Sequence, residues 1–284
     1  MVIIRLSGGL GNQMFQYALY LSLKAAGKVV KIDDVSDYQA PDRRPQQLWV
    51  FDAPYRKASR EEIVYLTDSS MDPLSRIRRK LTGRKNLTYR EKDMEFDPMV
   101  YRKDPAYLVG SFQSEAYFKE IRERVRHAFL FKNLSLPDGY KDYLTAIERE
   151  MSVSVHIRRG DYLDPGHQGI YESICTRSYY EQAINLIKDR YPEARFYLFT
   201  NDVEWTKNNL SGQGRTVVEG GSEETGYLDM YLMSRCRHNI IANSSFSWWG
   251  AWLNANPGKI VIAPSTWLNG MECGSIYTED MIRI

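Results

Sequence analysis

Short apolar runs alternate with longer segments of helical spacing along most of the chain. In the second half the apolar runs predict strands, at residues 153–157, 195–200, 217–218, 238–242 and 259–263. Between these runs, apolar residues recur every three or four positions, which is typical of helices packed on one face. Strands that alternate with helices form βαβ units, so the second half predicts an α/β domain with a parallel sheet between helices.

The first half follows the same alternation less regularly. Residues 2–6 predict a strand, and residues 13–26 predict a helix that ends at Gly27. Because domains contain about 100–200 residues, a chain of 284 residues predicts two of them. We place the boundary just before the strand at residue 153, which gives domains 1–150 and 151–284. Two Rossmann-like domains of this kind are expected to bind a ligand in the cleft between them.

One stretch, VSVHIRRGDY, joins a buried strand to a charge cluster at residues 153–162. Ligands of open parallel sheets bind beyond the carboxyl ends of the strands, where His156, Arg158, Arg159 and Asp161 lie. The planar fork of arginine fits phosphate oxygens, so this stretch predicts an anion site. The alternative is a surface ion pair between Arg158 and Asp161.

A glycine-rich loop follows the first predicted strand. Gly8, Gly9 and Gly11 permit close approach of a ligand, and the helix amides near Asn12 and Gln13 suit an anion or a sugar hydroxyl. The glycine spacing matches neither the dinucleotide-binding nor the Walker pattern. A tight strand-to-helix turn is the alternative interpretation.

The segment NSSF, at residues 243–246, follows another predicted strand. It makes Ser244 or Ser245 the N-cap of a helix, and such a helix start suits a phosphate. The helix carries Trp248, Trp249 and Trp252, which predict core packing. An ordinary capped core helix is therefore the alternative interpretation.

Net charge and cysteine content exclude several classes of protein. The formal charge of +2 gives no global field for nucleic acid, so any basic function has to be local. The three cysteines are far apart and lack C-x-x-C spacing, which favours a reducing compartment. No apolar run approaches the roughly 18 residues that span a bilayer, so we expect a cytoplasmic protein.

A basic run, RIRRKLTGRKNLTYREK, covers residues 76–92. One interpretation is a solvated helix face followed by a loop. The other is a patch that contacts anionic lipid head groups or an anionic acceptor. The second interpretation predicts peripheral contact with inner-membrane lipids.

Five strings, in order along the chain, closely resemble the bacterial α-1,2-fucosyltransferases of glycosyltransferase family 11: GGLGNQMFQYA, GSFQSEAYF, VHIRRGDY, FTND and DMYLMSRCRHNIIANSSFSWWGAWL. The resemblance implies a GT-B-like α/β fold, with residues 1–150 as the acceptor-side domain and residues 151–284 as the GDP-fucose-binding domain. It also implies inverting, metal-independent transfer of L-fucose from GDP-β-L-fucose to the 2-hydroxyl of a terminal galactose. The acceptor would be an oligosaccharide or lipid-linked glycan of O-antigen or capsule biosynthesis, and no cofactor is implied.

The resemblance also implies roles for individual residues. The first arginine of the H-x-R-R-G-D motif, here Arg158, contacts the donor diphosphate, and His156 lies near the guanine. Asp229 resembles the acid that holds the guanine edge in relatives. The other implied donor-binding residues are Ser244, Ser245 and Phe246 at a helix start, and Gly9, Gly11, Asn12 and Gln13 in the amino-terminal loop. Two positions depart from the pattern: Asn201 replaces a frequent acid, and Ser111 a common aromatic residue.

The chemistry of fucosyl transfer leaves negative charge on the departing GDP. Metal-dependent transferases hold a cation with D-x-D, which this sequence lacks. Arg158 and the helix start at Ser244 predict stabilisation by fixed donors instead. Arg158 and Asp161 are the predicted catalytic residues, with Asp161 as the general base and His167 or Glu172 as alternatives. The alternative functions are fucosyl transfer with another linkage, such as α-1,6, and a non-catalytic nucleotide or sugar binder.

Overall fold

The computed structural model describes residues 1–38, 44–132, 134–163 and 169–284, with the backbone alone for Asp161 and Leu163. The chain divides into two compact units. Unit 1 contains residues 1–130 and 274–276, and unit 2 contains residues 131–273 and 277–284.

Unit 1 is built on a four-stranded sheet in the order β2-β1-β4-β3. Its strands are β1 (Val2–Arg5), β2 (Val30–Asp33), β3 (Thr88–Arg90) and β4 (Ala106–Val109). Every neighbouring pair is parallel. The helices of this unit are α1 (Leu10–Ala25), α2 (Arg60–Thr67), α3 (Pro73–Thr82) and α4 (Arg122–Ala128).

Unit 2 is built on a six-stranded parallel sheet in the order β10-β9-β8-β5-β6-β7. The strands are β5 (Ser152–Ile157), β6 (Arg195–Thr200), β7 (Arg215–Val218), β8 (His238–Ile240), β9 (Val261–Ala263) and β10 (Met281–Arg283). The helices are α5 (Asp138–Arg149), α6 (Arg177–Arg190), α7 (Val203–Leu210), α8 (Tyr227–Arg235) and α9 (Ser245–Leu253).

The central strand β5 is buried along all six residues. Val153, Val155 and Ile157 pack into the apolar core that α6 covers. On the opposite face, the Ser152 hydroxyl donates to the carbonyl O of Ile147 at 2.8 Å, and the Ser154 hydroxyl accepts from the Asn239 amide at 2.7 Å. Because its polar side chains are small and hydrogen bonded, β5 can be enclosed on both faces.

The predicted α/β class with two Rossmann-like, parallel-sheet domains is confirmed. The domain boundary lies earlier than the predicted boundary at residue 150, because α5 belongs to unit 2, where Tyr140 and Ile147 pack with residues of α8. β10 follows the strand at 259–263 and was not among the predicted strands. β3 also lies inside the basic run at 76–92, where a helix face and a loop were expected.

The start of α1 is tied to the rest of unit 1 by one buried glutamine. Gln13 has 0% exposure, and its Nε2 donates to the carbonyl oxygens of Gly8 and Pro45, each at 2.9 Å. Its Oε1 accepts from the Gln47 backbone amide at 2.8 Å. Gly8 has a φ of 71°, a left-handed conformation that favours glycine. The Gln13 side chain therefore fixes the shape of the glycine loop, whatever that loop binds.

Gln13→Leu should lower the free energy of unfolding by about 2–4 kcal/mol, because it leaves two carbonyls and one amide without their partners. Urea unfolding measures this change. Lys24→Leu, at an exposed position of the same helix, is the control and should change the value by less than about 0.5 kcal/mol. Equally small effects of the two substitutions would contradict the anchoring role of Gln13.

Candidate functional site

The carboxyl edge of the unit 2 sheet brings two distant parts of the chain together. β5 and β8 are adjacent strands, so the segments that follow them lie side by side. The ring centroids of His156 and Phe246 are 5.6 Å apart, and the Tyr162 hydroxyl donates to the Asn243 carbonyl at 2.9 Å. The sheet thus assembles the predicted H-x-R-R-G-D and S-S-F segments into one site.

His156 is held neutral in this site. It is 6% exposed, and burial, with a smaller effect of the Arg158 charge, lowers its pKa to about 3. Within the described residues its Nδ1 has no hydrogen-bond partner. A neutral imidazole offers one donor and one acceptor, so His156 is suited to hydrogen bond a polar ligand and not to balance negative charge.

Arg158 lies at the first position beyond the buried strand. Its guanidinium carbon is 5.5 Å from the centroid of the Tyr162 ring. Tyr162 is stacked on Tyr171 at 4.0 Å between centroids and is fixed by its bond to Asn243. An aromatic stack therefore positions the cation at the carboxyl edge.

Arg159 is directed toward α7 instead. Its Nε lies 3.3 Å from Asp202 Oδ2, and its guanidinium carbon is 3.9 Å from the centroid of the Trp205 ring. Asn201 accepts from the Arg159 backbone amide at 3.0 Å. Asn201 therefore fixes the backbone of the motif.

The predicted N-cap Ser244 is confirmed as the N-cap of α9, and its side chain accepts no hydrogen bond from the first turn. The first-turn amides therefore do not donate to the Ser244 hydroxyl. Backbone amides at a helix start are suited to donate to an anion. Ser245 and Phe246 form the first turn of α9 and are partly exposed. Trp248, Trp249 and Trp252 are buried, as predicted for core packing.

Asp229 lies in the first turn of α8 and is hydrogen bonded to a residue that sequence analysis missed. The Tyr140 hydroxyl donates to Asp229 Oδ1 at 2.8 Å. Burial raises the pKa of Asp229 to about 6, and the Tyr140 bond partly opposes that rise. The backbone of Gly221 also approaches closely, since a Cβ there would lie 2.7 Å from Asp229 Oδ2. No sequence pattern links Tyr140 and Asp229, which are distant along the chain.

Phe246 connects Asp229's helix to the rest of the site. A Cβ on Gly226, the residue before α8, would lie 3.9 Å from the Phe246 ring. The same ring packs near His156. The structure therefore brings His156, Asp229 and Phe246 into one region of unit 2, although their donor-binding roles stay predictions.

Unit 1 has its own polar cluster at the carboxyl edge of its sheet. The Gln113 side-chain amide donates to Asn12 Oδ1 at 2.8 Å. Gln113 is 8% exposed, and within the described residues its Oε1 has no hydrogen-bond partner. Gly9 is the N-cap of α1, and Gly11 lies buried in the first turn. Gln113 occurs in the GSFQSEAYF string but was not predicted as a site residue.

Glu91 was also missed, and it holds the loop that carries Gln113. Its carboxylate accepts from the backbone amides of Ser111 at 2.6 Å and of Phe112 at 3.0 Å. Burial raises the pKa of Glu91, and the backbone hydrogen bonds oppose that rise. The sequence offers no signal for this role, because Glu91 lies within the basic run.

The general base is still a prediction. The Asp161 side chain and the whole of His167 lie outside the described residues, and Glu172 is exposed. Across the parts of the chain that are described, no group of three or more His, Cys, Asp or Glu side chains is placed to hold a metal ion. Metal independence likewise stays a prediction.

Comparisons with known proteins identify relatives along the whole chain. The family model described as Glycosyl transferase family 11 matches residues 88–281. An α-1,2-colitosyltransferase of Escherichia coli is 33% identical, over 100% of this chain and 98% of its own length. The O-antigen biosynthesis glycosyltransferase WbnK of Escherichia coli is also 33% identical, over 98% and 99%. Human galactoside α-(1,2)-fucosyltransferase 1 is 28% identical over 53% of this chain and 44% of its own.

Solved structures resemble the chain more distantly. The α-1,6-fucosyltransferase NodZ soaked with GDP-fucose has 17% identity and a TM-score of 0.47, over 92% of this chain and 94% of its own. POFUT1 in complex with GDP has 10% identity and a TM-score of 0.49, over 92% and 97%.

Asp229 should make stability depend on pH. Its folded-state pKa of about 6 lies above the ordinary value of 3.8, so the folded protein binds the proton more tightly than the unfolded chain. The ionised carboxylate therefore costs stability above pH 6, and the cost disappears as the pH falls from about 6 to about 4. Relative to Asp229→Asn, the unsubstituted protein should gain about 2 kcal/mol between about pH 7.5 and pH 4.5.

Urea unfolding at several pH values measures this difference. Thr145→Ala, at an exposed position of α5, removes no titratable group and is the control, so its pH profile should be parallel to that of the unsubstituted protein. Parallel profiles for the Asp229→Asn variant would contradict the raised pKa.

Proposed function

Because the chain belongs to glycosyl transferase family 11 and is a glycosyltransferase, we propose that it transfers L-fucose from GDP-β-L-fucose to the 2-hydroxyl of a terminal galactose. The proposed acceptor is an oligosaccharide or a lipid-linked glycan, in keeping with the O-antigen name of one relative. The proposed reaction inverts the configuration at the anomeric carbon of fucose and needs no metal ion.

One observation carries this proposal: the carboxyl edge of β5 and β8 gathers groups that suit the parts of a guanosine diphosphate. Arg158 and the amides at the start of α9 suit the diphosphate, because both offer N–H donors and positive charge. Asp229 suits the guanine edge, whose ring N–H and amino group both donate hydrogen bonds to a carboxylate. His156, which is neutral, suits a polar atom of the nucleotide.

In the proposed reaction, the oxygen of the acceptor hydroxyl attacks the anomeric carbon of fucose from the face opposite GDP. The bond from that carbon to the β-phosphate oxygen breaks, and its electron pair leaves with GDP. Fixed donors such as Arg158 lower the barrier because they meet the charge that develops on the leaving oxygen. The proton of the hydroxyl passes to a general base, for which Asp161 is proposed first.

A second candidate is colitosyl transfer, which is favoured by the α-1,2-colitosyltransferase that resembles the whole chain. Colitose is L-fucose without the 3-hydroxyl, so the two donors would share the same guanosine diphosphate contacts. Only the contacts to the sugar would differ. A site that hydrogen bonds the 3-hydroxyl rejects the deoxy sugar strongly, by roughly 10⁴–10⁵-fold in favourable cases.

Competition between GDP-fucose and GDP-colitose, with galactosides as acceptors and EDTA present, tests the proposal. We expect fucose to be transferred with a kcat/KM about tenfold or more above that of colitose, and NMR of the product to show an α-1,2 linkage. A preference for colitose would assign the second candidate function instead. A product of another linkage, loss of activity in EDTA, or no release of GDP with any galactoside would contradict the proposal.

The two arginines of the motif should behave differently when each is replaced by alanine. Arg158→Ala should lower kcat by about 10²–10³-fold, the usual loss of one fixed donor, with a small change in stability. Arg159→Ala should lower the free energy of unfolding by about 1 kcal/mol, because it removes the contacts to Asp202 and Trp205. Its kcat should fall less than tenfold.

Steady-state kinetics and urea unfolding of both variants measure these effects. Arg159 is the matched control for Arg158, since it has the same side chain at the next position. Near-normal turnover in Arg158→Ala would remove Arg158 from the mechanism. Equal losses of kcat in the two variants would contradict the division of roles.

A further inference from the structure

Helix α3 of unit 1 exposes large apolar side chains. None of its residues is buried. Leu74 is 79% exposed, Ile77 54% and Leu81 80%, and Met71, just before the helix, is 79% exposed. Scattered apolar side chains are normal on a protein surface, but a contiguous group of this kind marks an interaction site.

The three apolar residues lie on one face of the helix, because residues three and four positions apart are neighbours. We call Leu74, Ile77 and Leu81 the α3 apolar face. The helix is held to unit 1 by ion pairs of Arg78 and Arg79 with Asp68, and Arg78 borders the apolar face, four positions after Leu74 and three before Leu81. The exposed fractions of Leu74, Ile77 and Leu81 show that the α3 apolar face is directed to solvent.

The helix is well formed despite its exposure. Asp72 caps its first turn by accepting from the Ser75 amide at 2.8 Å, and Pro73 occupies the first helical position. Gly83, with a φ of 77°, ends it. The apolar face is thus presented by a defined helix and not by a frayed segment.

Basic residues lie along α3 and just beyond it, and Lys80 and Arg84 follow Ile77 and Leu81 by three positions. Arg76, Lys80 and Arg84 are exposed, and within the described residues none of them forms an ion pair. Of the nearby acids, Asp68 pairs with arginines and Asp72 caps the helix, while Glu61 lines the adjacent cavity. The expectation of a purely solvated helix face does not account for the apolar residues at its centre.

A cavity of about 700 Å³ next to α3 extends this surface. Its lining includes the apolar groups of Val64, Tyr65 and Leu87, three cationic side chains and two carboxylates, those of Arg60, Arg78, Lys85, Glu61 and Asp68. Tyr65 is 72% exposed. Apolar and cationic groups therefore continue from α3 into the neighbouring groove, which also contains the carboxylates of Glu61 and Asp68.

We propose that α3 docks the protein on an anionic lipid bilayer, with Leu74, Ile77 and Leu81 among the upper acyl chains and Arg76, Lys80 and Arg84 at the lipid phosphates. A short helix with an apolar face and flanking basic residues lies in the plane of the interface and gains from anionic head groups. Throughout the described residues, no helix is long and apolar enough to cross a membrane. The proposed contact is therefore peripheral.

Cosedimentation with vesicles tests this contact in the full chain. We expect binding to vesicles of phosphatidylglycerol and phosphatidylcholine, weaker binding at about 0.5 M salt, and much weaker binding to phosphatidylcholine alone. Leu74→Ser with Leu81→Ser should reduce the partition coefficient about tenfold or more, through loss of apolar contact. Arg76→Glu with Lys80→Glu should reduce it similarly on anionic vesicles.

Matched controls lie on unit 2. Leu186→Ser, at a position 44% exposed on α6, and Lys141→Glu with Arg149→Glu, at exposed positions on α5, should leave vesicle binding unchanged. Circular dichroism and melting temperature verify that each variant is folded. Unchanged binding of the double leucine variant, or equal loss in the controls, would overturn the proposal.

A second copy of the chain is the other occupant that this face would suit. Analytical ultracentrifugation distinguishes it: a dimer that the leucine substitutions convert to a monomer, without vesicle binding by the unsubstituted protein, would overturn the lipid proposal. A leucine variant that loses vesicle binding without a change of oligomeric state supports it.

Discussion

Enclosure of β5 on both faces is the constraint on which the candidate site depends. A strand that is covered on both sides can carry polar groups only where they are small, hydrogen bonded or neutral. Ser152 and Ser154 meet this condition through hydrogen bonds, and His156 meets it because burial keeps its imidazole uncharged. The first permanent charge can appear only beyond Ile157, at Arg158. The fold itself therefore places a neutral ring and a cation in close succession at the edge of the sheet.

In unit 1, a buried carboxylate holds the loop that follows β4 in an unusual backbone conformation. Phe112 is fully buried and has a φ of 52°, a conformation that costs a non-glycine residue roughly 1–3 kcal/mol. The Glu91 carboxylate offsets this cost by accepting the amides of Ser111 and Phe112. The next residue, Gln113, is then held against Asn12 with its Oε1 unpartnered within the described residues. Local strain in this loop thus serves to fix one polar side chain at the sheet edge.

Periodicity predicted the elements whose faces are buried, and it failed where contacts join distant segments. The α/β class, the parallel sheets and the capping position of Ser244 follow from patterns within a few residues of each other. β3 and β10 are partly exposed strands of three residues without an apolar run, whereas β8 and β9, of the same length, are fully buried and lie in apolar runs. The bonds of Tyr140 to Asp229 and of Glu91 to Ser111 join segments that the fold alone brings together. The division between the two units differs from the predicted boundary for the same reason, since α5 packs with α8 of unit 2.

The adjacent arginines show why a motif does not assign roles by itself. Arg158 and Arg159 are adjacent in the sequence, yet Arg158 contacts Tyr162 while Arg159 contacts Asp202 and Trp205. Arg159 reaches Asp202, which also caps α7, and its charge is matched by a carboxylate. The guanidinium of Arg158 instead contacts the ring of Tyr162, with 5.5 Å between its carbon and the ring centroid. A contact with an aromatic ring does not neutralise a cation as a carboxylate does, so Arg158 is the better candidate to bind the diphosphate in the proposed reaction.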